Sequence, residues 1–221
     1  MDKLFRSALG VHIAFGTVAL IIAPLAMITV KGGRWHRRWG KIYFWSMAGV
    51  ALSATVMCWL RSGLFLFLVA IFSFYLALTG YSVLRRKKPG DKAGVIDWCA
   101  ALAVLLAGVG LIVSGALATD PGERKVRMIF GLISLLLGAG DVRSFLRPPV
   151  RDRAWWFSHM TRFIAAYIAT VTAFSVLNFR FLPYVWRWLG PTVIGAIGIV
   201  IWRRYYARKF ARQRSAALTA A

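Results

Sequence analysis

Seven long apolar stretches, at residues 8–30, 40–60, 63–84, 94–118, 126–146, 156–177 and 190–206, take up most of the 221-residue chain. A bilayer core about 30 Å thick is crossed by about twenty apolar residues in a helix. Lipid offers the backbone no hydrogen-bond partners, so a spanning segment must satisfy its own amides and carbonyls. The pattern therefore predicts an all-α, polytopic transmembrane bundle of seven helices, forming a single integral membrane domain over residues 1–221. The short Arg61-Ser62-Gly63 turn predicts a tight hairpin between the second and third helices, and Pro24 a kink in the first. The first stretch is too long for the apolar core of a cleavable signal and is read as a retained membrane helix.

Charge gives the orientation. Lys and Arg number 29 against 7 Asp and Glu, for a net charge of +22. Such an excess also suits nucleic-acid binding, but here the basic residues fall between apolar runs, as in membrane loops. The chain is 59% hydrophobic with a mean hydropathy of +0.64. We therefore expect contact with the bilayer and with anionic lipid head groups, and no nucleic-acid partner. One set of loops, within residues 31–41, 85–92, 143–153 and 203–214, holds twenty of the basic residues, Arg151 and Arg214 included. The opposite set holds eight, and Arg162 lies inside a helix. The positive-inside rule then places the N-terminus outside and the C-terminus in the cytoplasm. Tryptophans and tyrosines near helix ends, among them Trp35, Trp39, Trp155, Trp188 and Tyr205, read as interfacial anchors. Cys58 and Cys99 fall near opposite faces, too far apart for a disulfide.

Polar side chains are costly in lipid, so their positions point to where chemistry would sit. Helical spacing groups them into stripes with small residues: His159, Arg162, Ala166, Thr170 and Ala173 in helix six, and Gly131, Ser134, Gly138 and Asp141 in helix five. Helix four gives Asp97, Ala101, Val104 and Gly108, helix two His36, Gly40, Tyr43 and Met47, and helix one His12, Gly16, Ala19 and Ala23. These stripes should face the bundle interior. His36, Asp97, Asp141, His159 and Arg162 all belong near the cytoplasmic face, where convergence would make one site of two imidazoles, two carboxylates and a guanidinium. His12 lies at the other face without an obvious partner.

Several functions are open to such a site. The groups can simply pair charges and fix helix register, with Arg162 neutralising Asp141 or Asp97. His36 and His159 can be axial ligands of haem b, with Arg162 holding a propionate. His36, His159, Asp141 and Asp97 can hold zinc in a metal-dependent hydrolase acting on a lipid or another apolar substrate, one Asp then serving as general base. Transport by a proton relay is a further reading, as is a role as a partner subunit or homo-oligomer. The chain has no G-x-S-x-G elbow, H-E-x-x-H pair or phosphate-binding glycine loop.

The segment Lys31-Gly-Gly-Arg-Trp-His36-Arg-Arg-Trp-Gly-Lys-Ile-Tyr43 resembles a motif of a domain-of-unknown-function family of bacterial multi-pass membrane proteins. His159-Met-Thr-Arg162, with the Ala165–Phe174 run after it, and Trp188-Leu-Gly-Pro-Thr192, shortly after Asn178, are similar to further motifs of that family. The resemblance covers nearly the whole chain. It implies that His36, Tyr43, His159, Arg162 and Asn178 belong to recurrent motifs and supplies no reaction. The His-Arg-x-x-Gly piece is also similar to membrane haem proteins of the cytochrome b561 and ferric-reductase kind, from which this chain departs in lacking histidine pairs at two membrane depths.

Overall fold

A computed structural model of the chain describes residues 1–88, 90–148 and 153–219, without the side chains of Arg214 and of residues 217–219. Arg151, which belongs to the charge count above, lies outside the described residues. Among these residues there is no strand. Seven helices run over Asp2–Ile28 (α1), Arg34–Arg61 (α2), Leu64–Ser82 (α3), Val95–Ala116 (α4), Pro121–Leu146 (α5), Ala154–Asn178 (α6) and Tyr184–Thr219 (α7). All seven are long and apolar enough to cross a membrane. The protein is a multi-pass α-helical membrane protein whose outward faces meet lipid.

The helices begin and end where local chemistry dictates. Asp120 caps α5, its carboxylate accepting the Glu123 amide at 2.7 Å, with Pro121 in the first turn. That places the start of α5 five residues before the apolar stretch begins, because a cap needs a polar residue. The α2 start likewise moves out to Arg34, which puts His36 inside the first helical turn. Helix α7 starts at Tyr184, so Pro191 lies inside it and not at its start. Its 36 residues extend about 54 Å, so it outreaches a bilayer core. Helix α1 remains helical through Pro24. Ser62, in the left-handed conformation at φ 51°, closes the α2–α3 hairpin.

Packing sorts the helices into two rings with a common wall. Helices α1, α2, α3 and α6 contact one another in sequence around the first ring. No Cα of α2 approaches within 8 Å of one in α6 among the described residues, so these two face each other across that ring. Helices α3, α4, α5, α7 and α6 form the second ring, and the α3–α6 contact is the wall between them. Small residues permit the closest approaches. A Cβ on Gly131 would stand 2.9 Å from the Gly108 carbonyl oxygen, so α5 and α4 meet backbone to backbone.

The expected stripes of helices four and five are the buried ones: Asp97, Ala101, Val104, Gly108, Gly131, Ser134 and Gly138 all lie inside. Helix six departs from expectation. Ala166 is buried, but Ala173 is exposed, and Thr172 and Ser175 take the interior positions near the helix end. Trp188 also departs. It is buried against Phe65, Phe130 and Tyr184 inside the second ring, and is not an interfacial anchor.

Candidate functional site

All five polar residues singled out above lie at one end of the bundle, where α1, α3, α5 and α7 end and α2, α4 and α6 begin. They do not form one site; the structure distributes them over three groups.

The first is a corner between α3 and α4. Asp97 is 4% exposed. One carboxylate oxygen accepts the Ser82 hydroxyl at 2.6 Å and faces the Arg86 guanidinium at 3.4 Å. The other accepts the Gly94 amide at 2.9 Å, at the head of its own helix. An acidic side chain here satisfies an amide that the first helical turn leaves without a partner. Arg162 does not touch it; the cation that neutralises Asp97 is Arg86.

The second group joins three helices. Arg162 of α6 donates to Asp141 of α5 at 2.5 Å and to the Tyr75 hydroxyl of α3 at 2.9 Å. Tyr75 in turn donates to the second oxygen of Asp141 at 2.5 Å. Both charged side chains are largely buried, at 13% and 15% exposed. A guanidinium and a carboxylate at this depth neutralise each other, and the tyrosine closes a three-membered ring of charge-assisted bonds. Tyr75 was missed in the sequence because α3 reads as an unbroken apolar run. Its hydroxyl at mid-helix is the signal that marks it.

A partly enclosed cavity opens beside this group. Asp141 and Arg162 form part of its lining, with Thr79, Ser144, Ser158 and Trp155 around them. Arg86, Lys87, Lys88 and Asp91, from the segment that follows α3, complete the polar wall. Lys87 lies over the Trp155 ring, its ammonium 5.2 Å from the centroid. The Arg86 Nε–H is buried without a hydrogen-bond partner among the described residues. Among the described residues four cations and two carboxylates border the space, and one of those carboxylates is already committed to Arg162.

The third group lies on the other side of the α3–α6 wall. His36 and His159 stand on α2 and α6, across the first ring from each other, with ring centroids 6.2 Å apart and planes at 74°. Each has its Nδ1 fixed by a backbone carbonyl: His36 by Ala26 at 2.9 Å and His159 by Gly80 at 2.8 Å. Both carbonyls sit in the last turn of a helix, where no amide follows to claim them. Lys31 also gathers at the α1 end, donating to the Met27 carbonyl. Burial there pushes its ammonium below the usual lysine range.

The haem and zinc readings can be tested on this geometry. A macrocycle needs a wide slot between its axial ligands. Here Phe163 tilts over His159 at 4.8 Å and Tyr43 packs on Phe163 at 5.8 Å. The cavity described above borders neither imidazole. The pair as folded does not fit haem b. The four-ligand zinc set also does not assemble. Among the described residues no three His, Cys, Asp or Glu side chains come together as a metal-holding group. Asp97 and Asp141 are each held by an arginine instead.

His12, at the opposite end, does have a partner: its Nδ1 lies 3.1 Å from the Ser53 hydroxyl. Tyr43 reaches across the first ring to Thr170 at 3.3 Å. Among the described residues Asn178 bonds its own helix, to the Phe174 carbonyl. Cys58 and Cys99 are free thiols.

The fold and these groups define a seven-helix multi-pass membrane protein with ionisable side chains gathered at one end. Comparison of the chain with protein-family models, with characterised proteins and with solved structures found no match.

Proposed function

We propose that the chain is a proton-linked transporter of a small anion in the bacterial inner membrane, with its N-terminus outside and its C-terminus in the cytoplasm. The observation that carries this reading is the placement of the Arg162–Asp141–Tyr75 group on the border of a cavity that also meets Arg86, Lys87 and Lys88. The excess of basic residues at that end supports a cytoplasmic mouth.

The chemistry follows from competition for one guanidinium. With Asp141 ionised, Arg162 is neutralised and an incoming anion has to displace the carboxylate. With Asp141 protonated, Arg162 loses its counter-ion and offers a fork of donors to a carboxylate or phosphate group. Anion binding and proton uptake are thus coupled through a shared partner. Tyr75 contacts both groups and passes from donor to Asp141 towards donor to the anion. The surrounding lysines raise the local anion concentration at the mouth. Binding without translocation, as in a receptor or a partner subunit, would leave the same cavity but move no protons.

Purified protein in liposomes decides between these. Anion-dependent proton uptake, read with an entrapped pH dye while phosphate and small carboxylates are screened, should appear with the natural chain and vanish in Asp141→Asn. A membrane that stays proton-tight with every anion, or flux that survives in Asp141→Asn, would sink the proposal.

A further inference from the structure

The imidazole pair takes no part in the anion cavity, yet it has the features of a built site. Each ring is held by its Nδ1 on a fixed carbonyl. The hydrogen therefore resides on Nδ1, and in the neutral ring Nε2 carries the lone pair. Neither Nε2 has a hydrogen-bond partner among the described residues, and neither is one of the sealed, unsatisfied polar atoms. Each Nε2 is therefore left without a protein partner among the described residues. An imidazole anchored through Nδ1 to a carbonyl is the usual arrangement of a metal-ligating histidine, because the anchor fixes the tautomer and makes Nε2 more basic.

We infer that His36 and His159 form a two-nitrogen site for monovalent copper, independent of the anion cavity. The number of ligands and the surrounding charge select the ion. Two imidazoles, with no third His, Cys, Asp or Glu beside them among the described residues, leave zinc half-coordinated. Monovalent copper is satisfied by two nitrogen donors in line, and imidazole is a good copper ligand. Lys31 reaches, at 3.5 Å, the Ala26 carbonyl that also holds the His36 ring. Its charge disfavours a divalent ion more than a monovalent one, by simple Coulomb repulsion. No Cα of α2 lies within 8 Å of one in α6 among the described residues, so side chains alone span the gap between the two helices.

The test is an anaerobic titration of the full-length protein in detergent with monovalent copper against a chromogenic copper chelator. One equivalent should be withdrawn from the chelator, and X-ray absorption should report two nitrogen neighbours. His36→Gln and His159→Gln should each weaken retention at least tenfold. His12→Gln, at the other end of the bundle, should retain the ion and serves as the folding comparison. Retention unchanged in both glutamine variants would overturn the inference. So would failure of the natural chain to compete for copper, or a haem Soret band in protein made with ample haem. Proton flux in liposomes is a separate readout: a natural chain that retains copper but moves no protons would leave the metal site standing, and one that moves protons but fails to compete for copper would leave the transporter standing.

Discussion

Asp97 and Asp141 are both acidic residues at the same end of the bundle, both face an arginine and both accept a hydroxyl. They differ in where their partners come from. Asp97 takes Ser82, Arg86 and Gly94 from one short stretch of chain, the turn between α3 and α4. Asp141 takes Tyr75 and Arg162 from two other helices, 66 and 21 residues away. The first arrangement is satisfied by local connectivity and stays the same however the helices tilt. The second exists only while α3, α5 and α6 hold one geometry, and it borders open space. A carboxylate of the first kind pins a corner, whereas one of the second kind can change partners.

The sharpest way to break this contrast is to remove one side of the cross-helix pair. Arg162→Met leaves Asp141 buried without its cation, and loss of one member of a buried pair costs about 3–5 kcal/mol. Thermal unfolding in detergent should show a large drop, and the double variant Arg162→Met with Asp141→Leu should recover most of it. Recovery is the informative outcome, since an apolar pair of similar volume has no charge left to desolvate. If the double variant is no more stable than the single one, the group is not an isolated pair and the contrast with Asp97 fails.

Asp97→Asn acts on the other member of the comparison. The amide keeps the shape but loses the attraction of Arg86. Because its NH2 cannot accept, its single oxygen can keep only one of the two donors, Ser82 or Gly94, which sit on separate carboxylate oxygens in the natural chain. A charged hydrogen bond contributes about 1.5–3 kcal/mol, so a smaller fall in stability is expected. Proton flux should be retained, in contrast to Asp141→Asn. Equal loss of flux in the two asparagine variants would show that the α3–α4 corner and the three-helix group work as one.

The sequence carried the architecture because lipid imposes a strict rule on length and polarity. All seven apolar stretches are helices, and the errors lie at their ends, where polar caps such as Asp120 extend a helix beyond its apolar run. The polar residues were also legible, since a charge in lipid stands out. Their grouping was not. Helical spacing tells which side chains share a face but not which helices are neighbours, so five residues at one depth read as one site. The α3–α6 wall separates His159 from Arg162, only three positions apart on the same helix. Tyr75 escaped because one hydroxyl in an aromatic-rich run weighs little in hydropathy. Trp188 was misplaced for a related reason: an indole near a helix end reads as interfacial whichever way it faces.

The wall itself offers the next test. A Cβ at Gly80 would stand 2.6 Å from the Phe163 ring and 3.0 Å from the Cβ of Arg162. Gly80→Ala therefore pushes α6 away from α3, and overpacking of this kind costs about 1–3 kcal/mol. Because the Gly80 carbonyl holds His159 while its Cα faces Arg162, the variant should weaken copper retention and anion-linked flux together. A change in only one would mean that the two rings of helices are less firmly joined than their common wall implies.

The smallest effect asks whether spanning a ring is enough by itself or whether charge is needed. Tyr43 and Thr170 join α2 to α6 across the first ring, as Asp141 and Arg162 join α5 to α6, but with two neutral hydroxyls 3.3 Å apart. Thr170→Val keeps the volume and removes the oxygen. Interhelical hydrogen bonds between neutral groups in membrane proteins contribute about 0.6 kcal/mol on average. The Thr170 hydroxyl also has its own Ala166 carbonyl to fall back on, which lowers what the link to Tyr43 adds. Thermal unfolding should therefore shift only slightly, with flux and copper retention unchanged. A loss approaching that of Arg162→Met would show that contact across a ring, and not ionisation, is what sets Asp141 apart from Asp97.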